Sequence, residues 1–155
     1  MKKSSKIPLL VLLATFLFNI LTVGSTVVLH ESGHYITAYC AGCKHIKLVF
    51  LDSDVGTYTE MACPTEHPLY FAALGALLLT LPFALAFLLL RNLPEKNIFW
   101  ISFGFNLTIM VVDIPEILLL KPASFVLGLV FFTIGEILLI DSLFEHIGRE
   151  EGLII

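Results

Sequence analysis

His30-Glu31-Ser32-Gly33-His34 sets two imidazoles four residues apart, with a carboxylate beside the first. On an α-helix four residues turn through about 400°, so His30 and His34 share one face about one turn apart and can bind the same metal ion. The spacing suits zinc. Glu31 is rotated by about 100° from His30, which keeps it out of the ligand set and near enough to take a proton from a metal-bound water. Gly33 removes a side chain where another element can approach. A catalytic zinc takes three protein ligands and keeps one position for water, so a third ligand must come from a distant segment. Asp113, Glu116 and His67 are the candidates for it.

The surroundings of the motif follow from composition. Of 155 residues 57% are hydrophobic and only 14% charged, and the mean hydropathy is +0.93. A water-soluble domain runs near a quarter charged, so this chain cannot cover a soluble surface with polar groups. The formal charge of −4, with no basic block after the first six residues, gives no sign of a nucleic-acid partner. The expected medium is a lipid bilayer.

Ile7 to Leu29 is free of charge and long enough to cross a hydrocarbon core of about 30 Å. The preceding Met1-Lys2-Lys3-Ser4-Ser5-Lys6 looks like the start of a secretory signal. The apolar stretch exceeds the ~7–15 residues of such a signal and no Ala-x-Ala-like site follows, so the segment is expected to stay attached. Further apolar runs give helices at about 67–90, 97–120 and 122–145, with the first extending over about 7–41. Between helices one and two, Ile46-Lys47-Leu48-Val49-Phe50-Leu51 is β-prone, Asp52-Ser53-Asp54 is turn chemistry and Val55 to Thr59 can return as a second strand. An open strand edge cannot face lipid, which places a hairpin at about 45–60 at the interface or over a cavity between helices. The fold class is an all-α membrane protein: one integral membrane domain over 1–155, with about four transmembrane helices and a short β-hairpin after the first. Cys40, Cys43 and Cys63 are too few for a disulfide framework or a four-cysteine zinc site and read as small buried thiols.

In an up-and-down bundle helices one and three run the same way, so Asp113, late in helix three, comes to the depth of His30 and His34. Glu136, Asp141, Glu145 and His146 on helix four fall toward the opposite face. An aspartate at that depth is costly to leave unpaired, which ranks Asp113 ahead of Glu116 and His67. Asn106 precedes Asp113 by nearly two helical turns and shares its face. It points either to a substrate chain or to an interhelical hydrogen bond.

With His30-Glu31-Ser32-Gly33-His34 closing a spanning helix, a hairpin after it, and Asn106 to Asp113 on a later helix, the chain resembles the site-2 protease family of intramembrane zinc metalloproteases. The family carries Asn-x-x-Pro-x-x-x-x-Asp-Gly on that later helix. Here Asn106-Leu107-Thr108-Ile109-Met110-Val111-Val112-Asp113-Ile114 is one residue shorter, lacks the proline and has Ile114 for the glycine. Gly75-Ala76 is similar to the family's Gly-Pro pair. The resemblance implies zinc held by His30, His34 and Asp113, Glu31 as general base, Asn106 on the substrate, and hydrolysis of a peptide bond in or near a transmembrane segment of a membrane protein or peptide. The strand Ile46 to Leu51 offers an edge to an unwound substrate segment. A metal-binding membrane protein without proteolysis and a membrane scaffold are the other two classes compatible with the residues.

The chain is thus expected as a multi-pass protein of the cell membrane. Its orientation receives opposed answers. Lys2, Lys3, Lys6, Arg91, Lys96 and Arg149 on one side outnumber Lys44, Lys47 and Lys121 on the other, which favours a cytoplasmic N-terminus. The resemblance implies a site open to the cytosol and the N-terminus outside.

Overall fold

The computed structural model describes residues 6–54, 56–63, 68–90, 93–113 and 120–150, with the backbone alone over 68–73 and at 120. The elements in chain order are α1 (Ile7–Cys40), β1 (Lys44–Asp52), β2 (Gly56–Ala62), α2 (Pro68–Phe87), a 3-10 turn (Pro94–Asn97), α3 (Ile98–Ile109) and α4 (Leu120–Glu150). Two helical stretches, Ile7–Cys40 and Lys121–Glu150, are long and apolar enough to cross a membrane.

α1 runs unbroken because nothing in it after Pro8, which sits in the first turn, interrupts the backbone ladder. It stops at Gly42, whose φ of +75° suits a residue without Cβ. Beyond it Cys43 N–H donates back to Ala38 C=O at 3.0 Å, the bond that closes a helix and redirects the chain. β1 and β2 pair antiparallel, from Lys44 opposite Ala62 to Asp52 opposite Gly56. The Asp52 carboxylate accepts from Asp54 N–H at 2.9 Å in the turn.

α1 and α3 run parallel. Thr26 meets Ser102 at 2.9 Å and, one turn on, His30 meets Asn106 at 2.9 Å. α4 returns antiparallel to α3: Asn97 donates to Leu138 C=O at 3.0 Å at one end, and Ser124 to Leu107 C=O at 2.7 Å at the other. Val11, Ile101, Leu139 and Leu143 form an apolar core between α1, α3 and α4. The two backbones of the α3–α4 pair come together at glycines. A Cβ on Gly104 would lie 2.7 Å from the Gly128 carbonyl oxygen, and one on Gly128 would lie 2.8 Å from that of Gly104.

The buried face of α1 is polar. Thr15, Thr22, Thr26, His30 and His34 are buried, whereas Leu12, Leu13, Phe16, Leu17, Ile20 and Leu21 are exposed. α4 likewise exposes Phe125, Val126, Leu127, Leu129 and Val130.

Two expectations are corrected here. The third helix, expected over about 97–120, is shorter at its described end: α3 runs from Ile98 to Ile109, and Val112 and Asp113 donate to the carbonyls three residues back, at 3.1 and 3.0 Å. Pro115 lies just beyond, and a proline disfavours the α conformation of the residue before it. At 12 residues α3 is about 18 Å long, short of a hydrocarbon core. Nor are the cysteines three buried thiols, because Cys43 and Cys63 form a disulfide and Cys40 is exposed and free. The hairpin causes the pairing. Its register sets Lys44 against Ala62, so the residues flanking those two come together, with Cα atoms 4.2 Å apart.

Gly104→Val should lower the thermal stability of the detergent-solubilised protein by about 1–3 kcal/mol through overpacking. Gly24→Ala is the control, since a Cβ there meets nothing within 4 Å. Differential scanning fluorimetry distinguishes the two.

Candidate metal centre

The motif lies in the last third of α1, where the helix meets three other elements. Gly33 faces α2: a Cβ on it would collide with the Gly75 carbonyl, whose carbon lies 2.8 Å away. In return, a Cβ on Gly75 would lie 3.0 Å from both the Gly33 carbonyl oxygen and the His34 Cα. Gly33 and Gly75 together let α2 press against the turn between the histidines, holding it from behind.

On the opposite side the imidazoles project toward the end of α3. His30 Nε2 lies 2.9 Å from Asp113 Oδ2, His34 Nε2 lies 3.3 Å from the same oxygen, and the two Nε2 atoms are 3.1 Å apart. Both histidines are buried and Asp113 is partly so. Among the described residues these three form the group of His, Cys, Asp and Glu side chains able to share an ion. Ligands 2.0–2.2 Å from a tetrahedral zinc lie about 3.3 Å from each other. The observed triangle is close to one face of that tetrahedron.

The hydrogen bonds define the protons. Asn106 is fully buried, and its Oδ1 lies 2.9 Å from His30 Nδ1 while its Nδ2 faces Met110 Sδ at 3.8 Å. The amide oxygen can only accept, so Nδ1 carries the hydrogen and the lone pair of neutral His30 is on Nε2. That lone pair confronts a carboxylate oxygen and a second imidazole nitrogen. His34 Nδ1 has no hydrogen-bond partner among the described residues, so Nε2 of His34 either donates a hydrogen into the group or, with the hydrogen on Nδ1, presents a third lone pair to it. In the second state a divalent ion can be shared by all three, and two imidazoles with one carboxylate are a donor set that zinc takes.

Glu31 stands beside this group without joining it. Its Oε2 accepts from Thr59 Oγ1 at 2.8 Å, and the same hydroxyl lies 3.0 Å from the Glu31 carbonyl oxygen. Thr59 belongs to β2, so the hairpin is docked on the motif through the carboxylate. A cavity of about 900 Å³ opens between α1, the hairpin and the end of α3. His30, Glu31, His34 and Asp113 line it together with Phe50, Leu51, Tyr58, Met61, Ile109 and Val112.

His30, Glu31, His34 and Asp113 are therefore brought together. Asn106, read as a substrate contact or an interhelical hydrogen bond, makes the second and is absent from the cavity lining. Its relation to Asp113 is not two turns of one helix: α3 ends between them, and the two approach opposite nitrogens of one ring. Glu116 and His67, the rivals for the third position, lie outside the described residues. Glu145 and His146 line a separate cleft at the other end of the bundle. Thr59 was not legible as a site residue; its only signal was a hairpin expected to cover a cavity.

No protein-family model, curated protein or solved structure matches this chain.

Asn106→Ala should weaken zinc binding by about 10–100-fold by releasing the His30 ring, while His34→Ala should reduce it further by removing a ligand. Competition with a chromophoric chelator measures both. Equal affinity of wild type and Asn106→Ala would contradict the assigned tautomer.

Proposed function

We propose that this chain is a multi-pass membrane zinc endopeptidase that cleaves a peptide bond in or near a transmembrane segment, in keeping with its resemblance to the site-2 proteases. The observation that carries the reading is Glu31: an acid outside the ligand triangle, held by a hydroxyl, on the wall of a cavity that also contains His30, His34 and Asp113.

The polarity of the helices supports a bilayer environment. A soluble bundle hides leucine and shows hydroxyls to water, whereas α1 does the reverse over several turns. In hydrocarbon, apolar side chains gain nothing from burial against one another, and small and polar residues such as Thr26 and Ser102 mediate helix contact. The exposed faces of α1 and α4 suit lipid, and the interior carries the hydrogen bonds.

His30, His34 and Asp113 are the residues to hold zinc. Bound there, the ion supplies a Lewis acid and lowers the pKa of a water toward ~7. Glu31 accepts the proton from the attacking water and, once protonated, returns it to the leaving amine. Thr59 holds the carboxylate in the orientation this requires. Asn106 keeps the His30 lone pair on Nε2 throughout. The lining of Phe50, Leu51, Met61, Ile109 and Val112 favours an apolar substrate. Gly24 and Val28 also line a second, mostly apolar groove with Ile20, Leu21, Ser25, Leu29 and Phe83, which suits a hydrophobic chain lying along α1. A helical substrate must unwind before its carbonyl is open to attack, and the two-stranded sheet leaves strand edges able to pair with it.

Glu31→Gln should keep zinc and lose at least about 10²-fold in cleavage of a fluorescent unfolded casein by the protein in detergent. Loss of zinc in Glu31→Gln would make Glu31 a ligand, and undiminished turnover would remove it as the base. A wild-type protein that binds zinc and shows no Glu31-dependent turnover on any membrane or unfolded substrate would instead be a metal carrier. Thr59→Val should leave zinc affinity unchanged and slow turnover by about 10-fold, the value of one hydrogen bond to a charged group.

A further inference from the structure

Both ends of the bundle are chemically marked, and the marks agree. α1 begins at the end where α4 finishes: Ile7 and Ile147 both pack on the core formed by Val11 and Leu143. The turn before α3 is at that end as well, since Leu93, Pro94 and Lys96 share a cleft with Glu145, His146 and Arg149. Lys6, Lys96 and Arg149 are thus gathered at one end, and in sequence Lys2 and Lys3 adjoin the first and Arg91 the second. The other end carries the hairpin, the start of α4 and the metal centre. Its basic residues are Lys44, Lys47 and Lys121, and the six-to-three excess at the first end counts the sequence neighbours Lys2, Lys3 and Arg91. Short loops rich in lysine and arginine stay in the cytoplasm.

The second mark is independent of charge. Cys43 and Cys63 are joined at the base of the hairpin, at the end poorer in basic residues. Protein disulfides form and persist in oxidising compartments and are kept reduced in the cytosol. Closing such a loop stabilises the fold by restricting the unfolded chain. The bond closes the base of the hairpin whose strand β2 brings Thr59 to Glu31.

We infer that both ends of the described chain, near Lys6 and Glu150, face the cytoplasm and that the metal centre, its cavity and the disulfide-closed hairpin face the oxidising, non-cytoplasmic side. This reverses the orientation that the family resemblance implies. The consequence for substrates rests on the peptidase reading: the site then takes segments at the non-cytoplasmic end of a membrane span, and product ends are released on that side. The orientation itself requires no catalytic activity.

The test uses the full chain in cells, with a membrane-impermeant maleimide as the probe. In a Cys40→Ser background, Asp54→Cys at the exposed hairpin tip should react in intact cells, whereas Glu150→Cys should react only after permeabilisation. In the otherwise unaltered chain, trapping thiols on lysis should modify Cys43 and Cys63 only after reductant. Labelling of Glu150→Cys in intact cells with protection of Asp54→Cys would overturn the inference, as would Cys43 and Cys63 reacting without reductant. Thiol trapping needs no substitution and decides the question if a variant fails to fold. Labelling depends on neither zinc nor cleavage, and metal analysis of the same protein separates the two readings: reversed labelling with zinc retained refutes the orientation alone. The expected labelling with no bound metal refutes the peptidase reading alone.

Discussion

Three electron-pair donors, Nε2 of His30, Nε2 of His34 and Oδ2 of Asp113, lie within 3.3 Å of one another in a buried site. Groups this close need a proton or a cation between them, and the three atoms are spaced as ligands of one ion would be. The rest of the molecule is arranged around this constraint. The Gly33 and Gly75 contact sets the histidine turn against α2, the short α3 delivers Asp113 through a tight turn rather than a helix, and Asn106 turns the His30 lone pair inward. Each contact is made between elements far apart in the chain, so the site exists only in the folded protein.

The second organising feature is inversion of polarity. Leucine and phenylalanine lie outside on the two helices long and apolar enough to cross a membrane, and the helices meet through smaller and polar residues. Glycine contacts at Gly33, Gly75, Gly104 and Gly128 bring backbones close, and hydrogen bonds such as Thr26 to Ser102 and Asn97 to Leu138 act across helices. The same polar interior holds the imidazoles of His30 and His34 and the carboxylate of Asp113.

Much of this was legible in the sequence, and the failures have identifiable causes. The His30 and His34 pair followed from helical periodicity alone, and the hairpin from turn chemistry between β-prone runs. Asp113 was reached by counting depth along parallel helices, yet the helix assumed for that count ends at Ile109. The count succeeded because the tight turn carries the chain onward past the site. The Cys43–Cys63 bond does not follow from a count of three cysteines; it follows from their places on either side of the hairpin that brings them together. Thr59 could not be found by any local rule, since its role is created by docking a strand against a helix 28 residues earlier. Asn106 was placed on the correct face, but a periodicity cannot say which neighbour an amide meets.

Zinc X-ray absorption on the purified full chain examines the convergence directly. The account predicts one zinc per chain with only nitrogen and oxygen neighbours at about 2.0–2.1 Å, a multiple-scattering signature of two imidazoles, and no sulfur. A chain without stoichiometric metal, or a zinc with sulfur neighbours at about 2.3 Å, would contradict it.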